Sequence, residues 1–551
     1  MKRYLSVLLI LFLLLLVGCT ETPKKYTISY DLNGGYCNNL IEEYQEGQLI
    51  ILPKAYKDGY TFLGWYYDDL KIEIIEKGNY HLIAKFEVNN ASTKDNVELY
   101  IYSVNDFHGM IFEDDNGAGI SKLGNYLHNL NDENSIILSA GDMFQGTAVS
   151  SMSRGNVIVD AMNYIGFDAM TIGNHEFDWG DKEIIKFIDG DYSNGEAQFP
   201  LLAANIYDKK TNQLASWATP YTIINKMGIK IGIIGIIGED QESDILASYV
   251  ANYSFEDELS AIKKYTKILR NEENCDIVIV SSHSDTKDIN RTIASLTGEY
   301  YVDAVLNGHT HQQYFGEEGR SSGVSLPFVQ SGCYGRYIGV ISLEYSFKEQ
   351  KVVDCSASTV RAKAVSSTES QELNAIISNY QEYIDIANEE LGVSGVYLSK
   401  TSGGYWAATA LCEAYEGALG IVNTGGIRSN GFPIEYGDMI TYGDIFEIMP
   451  FENMVRTVEL SGDVIISKLL PYNGSSYYIS NNVDCDAQTI NGVKIDRNKY
   501  YKVVTIDYLF EQTNKPFLSG SNRVDTNDVF RDVLAQAVRD NVSKNGKFIW
   551  K

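Results

Sequence analysis

Proline is scarce in this 551-residue chain, at nine residues, and the seven cysteines are few and scattered. Cys19, Cys37, Cys275, Cys333, Cys355, Cys412 and Cys485 include no C-x-x-C pair, which discounts a thiolate metal site. Six cysteines after Cys19 allow about 15 disulfide pairings, and the spacing does not choose between them and free buried thiols. Positive charge is in deficit: 45 Lys+Arg against 73 Asp+Glu, a formal net charge of −28. Polynucleotide backbones would be repelled, which argues against genome binding, whereas small anions stay open because bound cations invert a local field. No Walker A loop is present, and beyond residue 17 no apolar run is long enough to span a bilayer. What the chain does have is 44% hydrophobic and 12% aromatic residues, 39 of them Tyr, enough for large strand-rich cores. Its length suggests roughly three to four domain-sized units.

The N-terminus sets the expected compartment. Lys2 and Arg3 precede an unbroken apolar run from Val7 to Val17, too short to cross a membrane and suited to a secretory signal. The run leads into Leu16-Val17-Gly18-Cys19, which resembles the lipobox of bacterial lipoproteins. The resemblance implies a signal peptide over residues 1–18, lipidation at Cys19 and an exported protein tethered to the outside of the cell membrane.

Residues 26–88 read as a small β module. Tyr26-Thr27-Ile28-Ser29-Tyr30 alternates at period two and ends at the turn Asn33-Gly34-Gly35. With Pro53, the stretch GYTFLGWYY from Gly59 and Ala84-Lys85-Phe86, the module resembles the Listeria–Bacteroides repeat. That family implies a β-grasp-like spacer or a cell-wall or surface contact, without chemistry, and spacing is the favoured role. Residues 89–96 are small and polar, a linker.

From Val97 short apolar strands alternate with helices, the texture of an α/β domain. Strands are expected at Val97–Val104, Ile136–Ser139, Ala169–Ile172, Leu201–Ala203, Ile231–Ile237, Ile277–Ser281 and Ala304–Leu306, and helices at Asn156–Ile165 and Asp257–Arg270. A helical connector over residues 366–394 leads to a last domain, 395–551, with a helix at Ala407–Ala418. Five of the seven histidines follow strand ends, in Asp106-Phe107-His108, Asn174-His175, His283 and His309-Thr310-His311, and Asp142 follows another. Side chains projecting from neighbouring strand ends converge in one crevice. Imidazole, carboxylate and amide donors suit Zn, Mn, Fe or Co better than a purely oxygen-ligated Ca or Mg site. Seven donors are too many for one four-coordinate ion and suit two ions sharing a carboxylate.

These ordered blocks, DxHG, GD, GNHEFD, an isolated His and GHTH, resemble the calcineurin-like metallophosphoesterases. The run from Met162 to Asp178 is similar to the bacterial 5′-nucleotidase family, including its UDP-sugar hydrolase and 2′,3′-cyclic-nucleotide phosphodiesterase branches. The resemblance implies a four-layer metallophosphoesterase β-sandwich flanked by helices over 97–365, with a separate C-terminal α/β substrate-binding domain. It implies two divalent metal ions, one held by Asp106, His108 and His311, the other by Asn174, His283 and His309, with Asp142 bridging. Some members carry Gln or Asn where this chain has His311. His175 and Asp178 would form the catalytic dyad, assisting the leaving oxygen while the ions clamp phosphate and lower the pKa of water.

In the last domain Asn423-Thr424-Gly425-Gly426-Ile427-Arg428 resembles the family's NxGGIR block, with Arg428 as a planar phosphate fork. The resemblance makes Asn423, Gly426, Arg428, Phe451, Asn453 and Tyr508 the substrate-binding residues, the two rings stacking on a nucleobase. The chain departs from the family twice. The usual GGDG turn after Tyr508 is replaced by Phe510-Glu511-Gln512-Thr513-Asn514-Lys515-Pro516, and Lys400 stands where an Arg is usual. The expected function is extracytoplasmic phosphohydrolysis of a small phosphoester, foremost a 5′-nucleotide, with a cyclic nucleotide or nucleotide-sugar as alternatives. A surface adhesin built on the same scaffold is the non-enzymatic alternative.

Overall fold

The computed structural model describes residues 24–550 except 38–39, 47, 49, 56, 58–59, 73, 76, 89–94, 192–193, 285–286, 322 and 512–515. The signal peptide with Cys19, most of the linker and the centre of the 510–516 departure therefore lie outside the described residues. The described residues form two compact units, divided between residues 89 and 90.

The first unit is a five-stranded sheet, ordered Glu43–Gln45, Lys25–Asp31, Tyr80–Val88, Tyr60–Tyr67, Leu70–Ile72. Its alternating strands bury Tyr26, Ile28, Leu82 and Ala84 on one face, around Trp65, whose Nε1 donates to the Pro53 carbonyl at 2.6 Å. The indole thus buries a large ring without leaving its N–H unmatched.

The second unit is built on two six-stranded sheets. One runs Leu201–Leu202, Ala169–Thr171, Ser135–Ser139, Asn96–Val104, Tyr337–Ser346, Lys351–Arg361. The other runs Tyr221–Lys226, Ile229–Ile237, Ile277–His283, Ala304–Gly308, Leu326–Ser331, Gln313–Glu318. Each has a parallel stretch of four strands, with antiparallel pairing at one edge of the first sheet and at both edges of the second. Period-two alternation divides each central strand between two cores. Ile277 and Ile279 meet Ile101 and Leu138 of the other sheet, while Val278 and Val280 face Ile262, Leu269 and Ile293 of the covering helices. Sheet on sheet with helices outside is the expected four-layer sandwich.

Residues from Leu391 to Phe548 enclose a core of their own, around a sheet ordered Tyr477–Ile479, Leu419–Asn423, Tyr500–Ile506, Met454–Ser461, Ser521–Val529. Three expectations are corrected here. The connector is not one helix: Gln371–Ser378 and Gln381–Ala387 are separated at Asn379-Tyr380, and the Tyr380 hydroxyl donates to Asp160 at 2.6 Å. The C-terminal domain begins before residue 395, because Glu390–Val393 already pairs with Met439–Thr441 and buries Leu391. Its first helix spans Lys400–Ala414, starting well before Ala407, because Ser399 caps it reciprocally with Ser402. Gly403 and Gly404 lie inside that helix where any larger residue would collide with Phe432 and Tyr478.

None of the six described cysteines is in a disulfide. Burial pushes the thiols of Cys37, Cys333 and Cys355 up to about 12 and that of Cys275 to about 11. Among the described residues no helix is long and apolar enough to cross a membrane.

The two large sheets approach closely at Gly235, where a methyl group would strike the Leu202 side chain and lie 2.8 Å from its carbonyl carbon. Gly235→Ala is expected to destabilise this unit by about 1–3 kcal/mol, as overpacking does. A fall in the urea midpoint measures it, and an unchanged midpoint would contradict the tight contact.

Candidate metal centre

Parallel strands of both sheets end at the same edge of the sandwich, and the predicted donors gather there. Asp106 and His108 follow Asn96–Val104, Asp142 follows Ser135–Ser139, and Asn174 and His175 follow Ala169–Thr171. His283 ends Ile277–His283, and His309 and His311 follow Ala304–Gly308. The turns are tight. Asp106, His108, Asp142, His309 and His311 have φ of 49°, 52°, 56°, 81° and 59°, a left-handed conformation that non-glycine residues rarely hold. Such strain costs on the order of 1–3 kcal/mol per residue and persists where surrounding bonds over-determine it. Here the Asp106 and His108 amides donate to the carbonyls of Gly141 (2.9 Å) and Asp142 (3.1 Å).

The donors form two groups. Ligand atoms of Asp106, His108 and His311 lie within 4.8 Å of one another, as do those of Asp142, His283 and His309. Asn174 joins the second group, its Oδ1 standing 3.1 Å from His283 Nε2 and 3.0 Å from His309 Nδ1. Tautomers follow from carbonyl partners, which can only accept. His108 Nδ1 donates to Gln145 O at 2.9 Å and His283 Nδ1 to Ala140 O at 2.7 Å, so each Nε2 is turned inward. His108 Nε2 faces His311 Nε2 at 3.0 Å, and His283 Nε2 faces Asp142 Oδ2 and Asn174 Oδ1, both at 3.1 Å. Lone pairs set against lone pairs require a proton or a cation between them. Two nitrogens each about 2.1 Å from one ion, at about 90°, would stand about 3.0 Å apart, so the donor set fits a cation in each group.

Electrostatics carry the same signature. Burial, then the His311 and His175 charges, hold His108 well below its ordinary value, and burial with Arg428 lowers His311 to about 3. Asp106 is pushed up to about 7, chiefly by burial and also by Asp142. Burial opposes charge on Asp142 and His283 alike, yet their pairing wins: Asp142 falls well below the usual carboxylate range and His283 rises to about 10.

His175 stands beside these groups. Its Nδ1 donates to Asp178 Oδ2 at 2.9 Å, and its Nε2 accepts from Arg428 Nη2 at 3.1 Å. Burial works against the imidazolium, but Asp178 and Asp142 outweigh it and raise the pKa, with Arg428 opposing. The Arg428 contact requires an unprotonated Nε2, so it describes the neutral ring. Protonation of His175 displaces the guanidinium. Phe451 lies nearly parallel to the imidazole, centroids 5.8 Å apart at 24°, and Arg428 lies over Phe451 at 5.0 Å.

A cavity of about 420 Å³ opens over the centre and is lined from both domains, including Asn423, Gly426, Arg428, Phe451, Asn453 and Tyr508. All six predicted substrate-side residues are therefore brought to it. Asn423 Oδ1 is buried with no hydrogen-bond partner, whereas Asn453 Nδ2 is taken by Asp507 at 2.8 Å. Lys400 is outside the lining, although the Arg428 charge, after burial, lowers its pKa. The 26–88 module belongs to the other unit.

Four features went unread in the sequence. Glu176 is 1% exposed, and its carboxylate accepts the backbone N–H groups of Gly173 (2.8 Å), Asp142 (2.9 Å), Met143 (2.9 Å) and Phe144 (3.3 Å). It ties the Asp142 loop to the His175 turn, and an acid held between His175 and Phe177 in the GNHEFD block was the available signal. Asp244 Oδ2 lies 3.9 Å from His309 Nε2. Trp179 and Tyr249 add aromatic wall. Arg154, above Trp179, pairs with Glu452 of the C-terminal domain at 2.9 Å.

Two outcomes are expected. Glu176→Gln replaces an acceptor by an NH₂ facing N–H groups, and should cost about 1–3 kcal/mol of stability and weaken metal retention about 10–100-fold. Thermal unfolding and metal analysis after dialysis measure both, and a variant that keeps its metal would refute the anchoring role. Because metal-free His283 titrates near 10, loading at pH 7 must release its proton. Calorimetry in buffers of different ionisation enthalpy reads that release; heats independent of buffer would contradict it.

Comparison with known proteins agrees with this geometry. Residues 99–313 match the calcineurin-like phosphoesterase family, residues 385–518 the 5′-nucleotidase C-terminal domain, and residues 26–85 the Listeria–Bacteroides repeat domain. Endonuclease YhcR of Bacillus subtilis is 28% identical over 72% of this chain, which spans only 35% of that longer protein. A 5′-nucleotidase of Vibrio parahaemolyticus is 27% identical over 68% of this chain and 74% of its own. The 5′-nucleotidase precursor of Thermus thermophilus shares the fold, with a TM-score of 0.67 at 20% identity over 81% of this chain and 96% of that one. The repeat domain suggests a surface or exported protein, and the two donor groups suggest divalent metals. With a sandwich whose strand ends carry both donor groups, and a C-terminal domain that closes over them, the chain belongs to the calcineurin-like phosphoesterases with a 5′-nucleotidase C-terminal domain, a family of metal-dependent phosphoester hydrolases.

Proposed function

We propose that this chain is an extracytoplasmic, lipid-anchored phosphohydrolase acting on nucleotides, foremost as a 5′-nucleotidase. The observation that carries the proposal is the opening of both donor groups, the His175–Asp178 pair and Arg428 into one cavity walled by Phe451 and Tyr508. Asp106, His108 and His311 would hold one divalent ion, and Asn174, His283 and His309 the other, with Asp142 shared. Zn, Mn, Fe or Co suit those donors. Bound there, two such ions supply Lewis-acid polarisation of the phosphoryl group and water of lowered pKa.

The protein's own groups do the rest. Arg428 presents a planar fork to non-bridging phosphate oxygens, and taking them means leaving His175 Nε2. Asp178 fixes the His175 ring through Nδ1, so the freed Nε2 carries the proton given to the leaving oxygen. Phe451 and Tyr508 offer faces for a nucleobase, and the unmatched Asn423 Oδ1 offers an acceptor to a sugar hydroxyl. Cys19 would carry the lipid and residues 26–88 would hold the catalytic unit off the membrane. Hydrolysis of 2′,3′-cyclic nucleotides or UDP-sugars would use the same centre and differ in the cavity wall.

The test is phosphate release by residues 20–551 loaded with Mn or Zn, offered 5′-AMP, 5′-UMP, UDP-glucose, 2′,3′-cyclic AMP and an aryl phosphate. A 5′-nucleotide should be preferred, with His175→Ala lowering kcat by about 10²–10⁴-fold. Equal slow turnover of every compound would remove nucleoside recognition, and no release with any metal would sink the phosphohydrolase reading. Deleting residues 26–88 should leave turnover intact, whereas the adhesin alternative predicts that this deletion abolishes surface binding.

A further inference from the structure

A separate cluster of oxygen donors lies where Ile229–Ile237 ends. The Gly238 amide donates to the His283 carbonyl at 2.8 Å, and the chain then turns through Glu239–Ser243. A methyl group on Gly238 would sit 2.9 Å from Asp240 Oδ1, 3.1 Å from Gln241 Cγ and 3.3 Å from Ser284 Oγ, so these three side chains close on one point. Glu258, first residue of the helix Glu258–Asn271, joins them by accepting from Ser284 Oγ through Oε1 at 3.0 Å. Two oxygens in this cluster are buried with no hydrogen-bond partner, Glu258 Oε2 and Gln241 Oε1, on residues only 8% and 0% exposed. The Gln241 amide nitrogen donates towards the Asp240 carboxylate, Nε2 to Oδ1 3.5 Å, which leaves the amide oxygen as the unmatched end.

The charged groups acting on Glu258 are Asp240, Glu239 and Asp257, all acidic. A buried carboxylate among other acids needs a proton or a cation to offset its charge. The donors are two carboxylates, an amide oxygen and a hydroxyl, with no imidazole or sulfur, which is the chemistry of a hard cation. We propose that Asp240, Gln241, Glu258 and Ser284 form a calcium site distinct from the imidazole-rich centre, completed by water. Its place in the fold gives it a role. Ser284 follows His283, and Asp244, just beyond the same turn, reaches His309 at 3.9 Å. An ion here ties the turn carrying Asp244 to the strand end carrying His283, bracing one donor group from behind.

The competing explanation is a neutral Glu258 that donates its own proton to Gln241, and the experiment separates the two. The full chain, first saturated with Mn²⁺, is dialysed against radioactive calcium. One Ca²⁺ per chain should be retained, and Asp240→Asn and Glu258→Gln should each weaken retention by about ten-fold or more, since ligand charge sets affinity at such sites. Calcium should also raise the thermal midpoint of the Mn-loaded wild type and leave that of Glu258→Gln unmoved. No retained calcium, equal retention in both variants, or a Glu258→Gln protein as stable as the calcium-bound wild type would each overturn the site. Asp240 is exposed, so Asp240→Asn keeps the test decisive if Glu258→Gln folds poorly.

Discussion

Asp106 and Asp142 are almost wholly removed from water, at 0% and 1% exposure, and much of the local architecture exists to keep them there. An isolated buried carboxylate is costly, and each of these is answered by donors whose placement needs another part of the fold. Asp106 accepts from the His309 amide and from Asn105, and Asp142 accepts from the His175 amide and pairs with His283. His309 and His283 belong to one sheet, Asp106 and Asp142 to loops of the other. The two sheets must therefore stack in a single register for the charges to be met. Glu176 extends the same logic by converting four backbone amides into the cradle of the Asp142 loop.

The C-terminal domain completes what the sandwich cannot supply. The sandwich offers donors and an oriented imidazole, but the guanidinium that meets that imidazole is Arg428, and Phe451 and Tyr508 add their rings to the wall begun by Trp179 and Tyr249. Arg154 and Glu452 tie the two domains at the rim of the cavity. The metal-donor groups and this part of the cavity wall thus rest on separate cores, so the wall can vary without disturbing the strand ends.

The donor set was legible because each member follows a short apolar run, and polar residues at several successive strand ends are hard to explain by packing. His108, His175, His283, His309 and His311 all lie where that argument puts them. What escaped was what acts through tertiary contact. Glu176 stands one residue from His175 and reads as part of the same turn, yet its partners include amides more than thirty residues away. Gly403-Gly404 reads as a helix breaker, and only the rings of Phe432 and Tyr478 explain why glycine lies inside a helix. The connector reads as one helix because its apolar residues keep helical spacing, while the break at Tyr380 follows from an anchor on Asp160.

The cysteines have a bearing on how such a chain matures. No two of the described thiols are joined in a disulfide, and most are held protonated far above neutral pH by their surroundings. The thiolate is the species that attacks disulfides and oxidants, so these sulfurs are chemically quiet. The architecture consequently asks nothing of a thiol oxidase or disulfide isomerase. Among the described residues no part of the fold waits on a change of redox state.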